Sequence, residues 1–151
     1  MSKHVFVLNG ANLNLLGMRE PQIYGSATLA DVEALCRARA DELGLAIDFR
    51  QSNSEGTLVD WIHEAIGAAS GIVINPAGHS FTSIPILDAL KVFRWPIVEV
   101  HISNIHRREP YYHRSYVSYA ATGVIAGLGV RGYVLALDAI SELLRQGEPA
   151  R

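Results

Sequence analysis

The sequence predicts an α/β protein in which parallel strands form one sheet covered by helices on both faces. The short strand-like runs are almost continuously apolar, as strands buried on both sides are. Amphipathic helical stretches alternate with these runs along the chain, the pattern of repeated β–α units. Asn9-Gly10 is a hairpin-type dipeptide, yet no second alternating run follows it, so nothing there turns the chain back antiparallel.

His4 to Asn9 is the first buried strand. Thr28 then caps a helix with Leu29, Val32, Cys36, Ala40 and Leu43 on one face, ended by Gly44. Leu45 to Arg50 forms the second strand. A second helix spaces Leu58, Trp61, Ile62, Ala65, Ile66 and Ala69 for one buried face and runs into Gly71, after which Ile72 to Asn75 is the third strand. Ile84 to Phe93 reads as a helix, Pro96 to Ile102 as the fourth strand, and Gly123 to Ala126 as a short fifth. The last helix, about Val130 to Leu144, carries Tyr133, Val134, Leu137, Ile140 and Leu144 on its apolar face. The tail Gln146 to Arg151 is expected to fray.

Five strands in this alternation are most simply arranged as a flavodoxin-like three-layer fold in one domain spanning residues 1–151. Ligands in such sheets bind at the carboxyl ends of the strands. Asn9 and Asn12 follow the first strand, Gln51 to Asn53 the second and Asn75 the third, while His101, Ser103 and Asn104 end the fourth. All of them are therefore expected on one rim.

At 151 residues, with 49% apolar and 19% charged residues, the chain is large and apolar enough for a core without disulfides or structural metal. A net charge of −2 predicts no general affinity for nucleic acid or anionic membrane. No stretch reaches the length of a membrane span, and the short apolar run at the amino terminus lacks the features of a secretion signal, so the expected location is the cytoplasm. The lone Cys36 excludes an internal disulfide and falls on an apolar helix face, which makes it core.

The stretch Asn9 to Gly25 is too long for a plain connection, since βα loops usually run about 2–6 residues. Asn9, Asn12 and Asn14 lie at its base, and Arg19 and Tyr24 lie on a lid at about 18–25, flanked by Gly17 and Gly25. Asparagine amides can hold a water or an oxyanion, and an arginine beside a tyrosine favours the phenolate. Tyr24 alone would be an ordinary exposed aromatic; with Arg19 it becomes a candidate general base.

Glu99 and His101 are two apart on a strand and so share a face, where the carboxylate can fix the imidazole tautomer and favour its charged form. That arrangement builds a general acid, although it also fits a buried structural ion pair. His101, His106 and His113 match no recognised metal-ligand spacing, so no metal is expected. No Gly-x-Ser-x-Gly elbow and no Gly-x-Gly-x-x-Gly loop is present. Asp88 sits one position beyond the Ile84–Leu87 face of its helix and points to a surface or a partner subunit.

Taken together, Asn9-Gly-x-Asn-Leu-Asn-Leu-Leu-Gly-x-Arg-Glu-Pro with Tyr24-Gly25, Gln51-Ser-Asn-x-Glu-Gly56, Asn75-Pro76, Glu99-Val-His-Ile-Ser-Asn104 and Ala121-Thr-Gly-Val-Ile-x-Gly-Leu-Gly129 resemble type II 3-dehydroquinate dehydratase over nearly the whole chain. The resemblance implies anti elimination of water from 3-dehydroquinate to 3-dehydroshikimate through an enolate, with no cofactor. It assigns Tyr24 as the base, Arg19 and Arg108 as the groups favouring its ionised form, and Asn12 as the holder of a water that stabilises the enolate oxygen. His101, oriented by Glu99, would protonate the departing hydroxyl, and Asn75 with the backbone amides of Ile102 and Ser103 would bind near the substrate carboxylate. Asp88 would reach a neighbouring subunit's site in a homo-dodecamer, a tetramer of trimers.

Three departures accompany the resemblance. Ala11 replaces the family's proline; Phe81 stands where a histidine binds a ring hydroxyl; and Arg108-Glu-Pro-Tyr-Tyr112 lacks a second hydroxyl-binding arginine, for which Arg114 is a candidate substitute. Each lost partner of a buried hydroxyl costs about 1–3 kcal/mol. The sequence therefore leaves open a paralogous hydro-lyase acting on a related cyclic hydroxy acid, and beyond it a binding protein on the same scaffold.

Overall fold

The computed structural model describes residues 3–18 and 20–147. Within them the chain forms strand β1 (Lys3–Ala11), a short helix α1 (Pro21–Tyr24), α2 (Leu29–Leu43), β2 (Leu45–Gln51), α3 (Glu55–Ala68), β3 (Gly71–Ala77), α4 (Ile84–Val92), β4 (Ile97–His101), β5 (Gly123–Ala126) and α5 (Arg131–Gln146). All four strand pairings are parallel, and the sheet order is β2-β1-β3-β4-β5, the flavodoxin-like order expected from the sequence.

The alternation of side chains along each strand sorts two cores. Val5, Val7, Val73, Val98 and Val100 face α2 and α5, while Phe6, Leu8, Ile72, Ile74 and Ile97 face α3 and α4. The same parity directs the polar residues at the strand ends. Asn9 and Asn75 continue the valine series and point under α5, whereas Glu99 and His101 continue from Ile97 to the opposite face.

Helix starts follow local chemistry. The Thr28 hydroxyl accepts from the Asp31 N–H while the Asp31 carboxylate accepts from the Thr28 N–H, a reciprocal cap at the head of α2. Ser54 and Ser83 cap α3 and α4 through bonds accepted from Thr57 and Ile86. Cys36 is core, and burial pushes its thiol up to about 12.

Some expectations are corrected. Ile66 is 41% exposed, and Trp61 is only half-buried, its ring lying 5.5 Å from the Arg50 guanidinium at the sheet edge. The apolar stripe of α3 is thus narrower than helical spacing alone suggests. Gln146 is not part of a frayed tail: it ends α5, and Gly147 closes the helix at φ 77°. The remaining tail positions of that expectation, 148–151, lie outside the described residues, as does Arg19.

Gly10 lies at a close approach of β1 and β3: a Cβ there would meet the Pro76 carbonyl oxygen at 2.2 Å. Because the obstacle is backbone, relief requires the two strands to separate beside Asn9 and Asn75. Gly10→Ala is expected to cost about 1–3 kcal/mol or more, read as a lowered midpoint in chemical denaturation. An unchanged midpoint would refute the close approach.

Candidate active site

The carboxyl ends of β1, β3 and β4, with α1 folded over them, enclose a cavity of about 100 Å³. Asn12, Tyr24, Asn75, His101, Ile102, Ser103 and Arg108 line it, so most of the residues singled out from the sequence come together here. A wider cleft of about 830 Å³ adjoins it, sharing Tyr24, Ile102, Ser103 and Arg108. It opens between the lid and the turn from Gly127 to Val130. Asp88 is exposed on α4 and lines neither space.

Tyr24 ends the helical turn α1, which Pro21 starts with its fixed φ and Gly25 stops at φ 80°. The expected lid is therefore partly helical. Arg108 Nη1 donates to the Tyr24 hydroxyl at 2.9 Å, with the guanidinium carbon 5.6 Å from the Tyr24 ring centre. Burial works against the Arg108 charge, but Tyr24, with smaller contributions from Tyr112 and Glu109, outweighs it and raises the guanidinium above its ordinary value. Arg108, named together with Arg19 as a group favouring the ionised phenol, is thus in contact with Tyr24.

His101 lies at the end of β4, and its Nε2 is held in a very short contact by Glu99 Oε2. Glu99 is fully buried and accepts two further hydrogen bonds, from Ser115 Oγ and Ser118 Oγ, each at 2.6 Å. Burial alone would raise this carboxyl. The bond and charge of His101 and the two serine hydroxyls outweigh it and hold the carboxyl below the usual carboxylate range. With Nε2 engaged, Nδ1 is the ring nitrogen left to act on a bound molecule.

Asn75 is positioned by a buried relay. Its amide nitrogen donates to the Tyr133 hydroxyl at 2.9 Å, Tyr133 donates to Asn9 Oδ1 at 2.7 Å, and the Asn9 amide donates to the Arg50 carbonyl at 3.0 Å. Burial raises the Tyr133 phenol well above its ordinary value, so it stays neutral and can donate. Tyr133→Phe leaves the Asn75 amide and the Asn9 carbonyl without their shared partner. The expected result is a stability loss of about 1–3 kcal/mol and a raised KM, measured by denaturation and steady-state kinetics.

Asn12 adopts a left-handed conformation at φ 71°, which asparagine tolerates better than most residues, and its backbone N–H donates to Asn53 Oδ1 at 2.9 Å. Gln51 donates to the Gly10 carbonyl and to Asn53 Oδ1, tying the second strand's end to the same rim. Ala77 is held at φ 53° with its N–H bonded to Asn75 Oδ1. Phe81 and Tyr112 both line the cavity, with ring centres 5.1 Å apart in an edge-to-face pair, and Phe81 stacks at 6.2 Å from the His101 ring. Arg114 instead donates to the Tyr119 hydroxyl at 3.2 Å and does not line the cavity.

The sequence reading missed Ser115 and Ser118, which sit in a turn region with no periodicity to mark them. Tyr133 was legible only as an apolar-face residue of the last helix. Its hydroxyl role had one signal: a tyrosine on a fully buried stripe needs a polar partner.

A phenol under a guanidinium and an imidazole fixed by a buried carboxylate share one cavity at the carboxyl edge of a parallel sheet, which defines the class: an acid–base enzyme on a doubly wound α/β scaffold. The sequence matches the family Dehydroquinase class II over residues 3–141. It is 61% identical over 144 residues to a 3-dehydroquinate dehydratase of Streptomyces coelicolor, covering 95% of this chain and 92% of that protein. It is 56% identical over 150 residues to the 3-dehydroquinate dehydratase of Methylobacterium radiotolerans, covering 99% and 100%. The crystal structure of type II dehydroquinase from Propionibacterium acnes superposes with a TM-score of 0.91 at 49% identity, covering 94% of this chain and 98% of that one. The chain belongs to the class II dehydroquinase family.

Proposed function

We infer that this chain is a hydro-lyase that converts 3-dehydroquinate to 3-dehydroshikimate by anti elimination through an enolate, as a type II 3-dehydroquinate dehydratase. The observation that carries the reading is the 2.9 Å hydrogen bond from Arg108 to the Tyr24 hydroxyl, in a cavity that also contains His101. Tyr24 as phenolate takes the proton α to the ketone, and the electron pair moves onto the ketone oxygen to give the enolate. Asn12 holds a water against that oxygen. The enolate then collapses, the carbon–oxygen bond of the leaving hydroxyl breaks, and His101 supplies the proton that turns it into water. Asn75 and the backbone amides of Ile102 and Ser103 bind near the substrate carboxylate. Arg19 joins Arg108 in favouring the phenolate.

Asp88 sits on α4 between Ile84 (45% exposed) and Val92 (58% exposed), with Trp95 just beyond the helix. Such an apolar stripe around a carboxylate supports contact with a second copy, whose site Asp88 would enter in a dodecamer built as a tetramer of trimers. The expected location is the cytoplasm.

Purified protein mixed with 3-dehydroquinate should show the rising ultraviolet absorbance of a conjugated enone. A folded, assembled enzyme without that rise would overturn the reading. One observation favours a second reading: the wall formed by Phe81 and Tyr112 offers aromatic carbon where a polyhydroxylated ring would seek partners. On that reading the preferred substrate is a related cyclic hydroxy acid with fewer hydroxyls on this side. Comparing kcat/KM for 3-dehydroquinate and a ring-deoxy analogue decides between them.

A further inference from the structure

We propose that Tyr112 is a positioning residue: its ring holds the Arg108 guanidinium against the Tyr24 hydroxyl and thereby sets the pH range over which Tyr24 works as a base. The inference rests on the reading of Tyr24 as the base and adds a residue to which no role in the reaction has been given.

The geometry starts in the local sequence. Pro110 opens a 3-10 turn over Pro110–Tyr112, closed by the Tyr112 N–H to the Glu109 carbonyl at 2.9 Å and the His113 N–H to the Pro110 carbonyl at 3.0 Å. The His113 ring nitrogen meets the Arg108 carbonyl at 2.7 Å and ties the turn back on itself. Tyr112 is thus carried back over the side chain of Arg108, its ring centre 4.1 Å from the guanidinium carbon. Phe81 meets Tyr112 at 5.1 Å edge-to-face, and Tyr111 packs at 4.5 Å, so neighbours on both chain segments fix the plane of the ring.

A cation 4.1 Å from a ring centre is well inside the range of cation–π attraction, and Arg108 is largely shielded from water, with 15% of its side chain exposed. The alternative partner is close by. Glu109 Oε2 lies 4.0 Å from Arg108 Nε and is more than half exposed, so a guanidinium released from the ring has a carboxylate and solvent to relax toward. Among the described residues, the other titratable or charged groups around the pair are Tyr111 and His113 on the same turn, Arg107 in the adjoining cleft and His101 in the cavity. Among these described residues, Arg108 donates to the Tyr24 hydroxyl, at 2.9 Å.

Loss of the ring should therefore weaken the support for the phenolate without touching the phenol itself. The test is the pH profile of kcat/KM with 3-dehydroquinate for the wild type, Tyr112→Leu, Tyr112→Met and Tyr112→Phe. The two ring-free variants should move the acidic limb upward by about half a unit to one unit, a loss of roughly three- to tenfold at the foot of the limb that disappears at high pH. Two variants are used so that a folding failure of one leaves the other to answer. Tyr112→Phe keeps the ring and should keep the limb in place. A parallel tyrosinate difference titration, wild type minus Tyr24→Phe, should shift the same way in the ring-free variants without substrate present. An unmoved limb with only a raised KM would overturn the proposal and make Tyr112 a substrate contact. Retained turnover in Tyr24→Phe would instead overturn the reading of the base, and the inference with it, and is distinguishable because the wild-type limb would then survive the loss of Tyr24.

Discussion

Tyr24→Phe is expected to reduce kcat by about 10²–10⁴-fold while leaving the affinity for substrate or a substrate analogue largely intact. The phenol oxygen is the group that Arg108 contacts at 2.9 Å, and it is the candidate proton acceptor in the cavity. The phenylalanine ring keeps the packing that closes α1 over the site, so binding contacts change little. Enone absorbance measures the rate, and calorimetric titration with a non-reacting analogue measures the affinity. Equal losses in rate and affinity would mean that Tyr24 acts through contact alone, as in a binding protein built on this scaffold.

The fold was legible because one physical pattern repeats. Strands such as Ile72 to Asn75 are buried on both faces and leave no alternation, while Thr28 marks a helix start by supplying an acceptor for an unpaired N–H group. Strand order was legible as the simplest arrangement of that alternation, and the carboxyl-edge rule then gathered Asn12, Asn75, His101 and Ser103 before any coordinates. Extra length was not legible in the same way. Strand β3 runs on to Ala77 because the Ala77 position pairs with Ala11 across the close approach at Gly10, a contact between segments distant in sequence.

The site was read as well as its local spacing allowed. Glu99 and His101 are two apart on one strand, and that spacing alone put them together. Arg108 and Tyr24 come from segments far apart in the chain, and no local spacing joins them. The residues that hold the machinery in place were hardest to see. Ser115 and Ser118 lie in an irregular turn where serine is unremarkable, and their role exists only because the chain folds that turn over the buried Glu99 carboxylate. The hydroxyl of Tyr133 serves the opposite rim in the same hidden way, since helical spacing reports its buried face and nothing of its tip.

Glu99→Gln is the second large effect expected, because this carboxylate fixes both an imidazole and a turn. Its Oε2 accepts from Ser115 and holds His101 Nε2, and its Oε1 accepts from Ser118. An amide keeps the volume but replaces one oxygen with a donor, so either a serine must reorient or the imidazole must take the other tautomer and lose its proton from the side that Glu99 anchored. The ring then no longer presents a stabilised acid to the substrate, and kcat should fall by about 10²–10⁴-fold. Stability changes with pH as well. The folded protein holds this carboxyl below its ordinary 4.5, so as the pH falls through that value the unfolded chain takes up a proton that the folded chain refuses. The contribution of the ionised Glu99 carboxylate is complete at neutral pH and is lost between about 4.5 and the lower folded value. In urea unfolding across this window the wild type should lose stability more steeply than Glu99→Gln, which has no proton to gain there. Parallel slopes would show that the pair does not contribute to acid stability, and full activity in Glu99→Gln would remove His101 from the acid role.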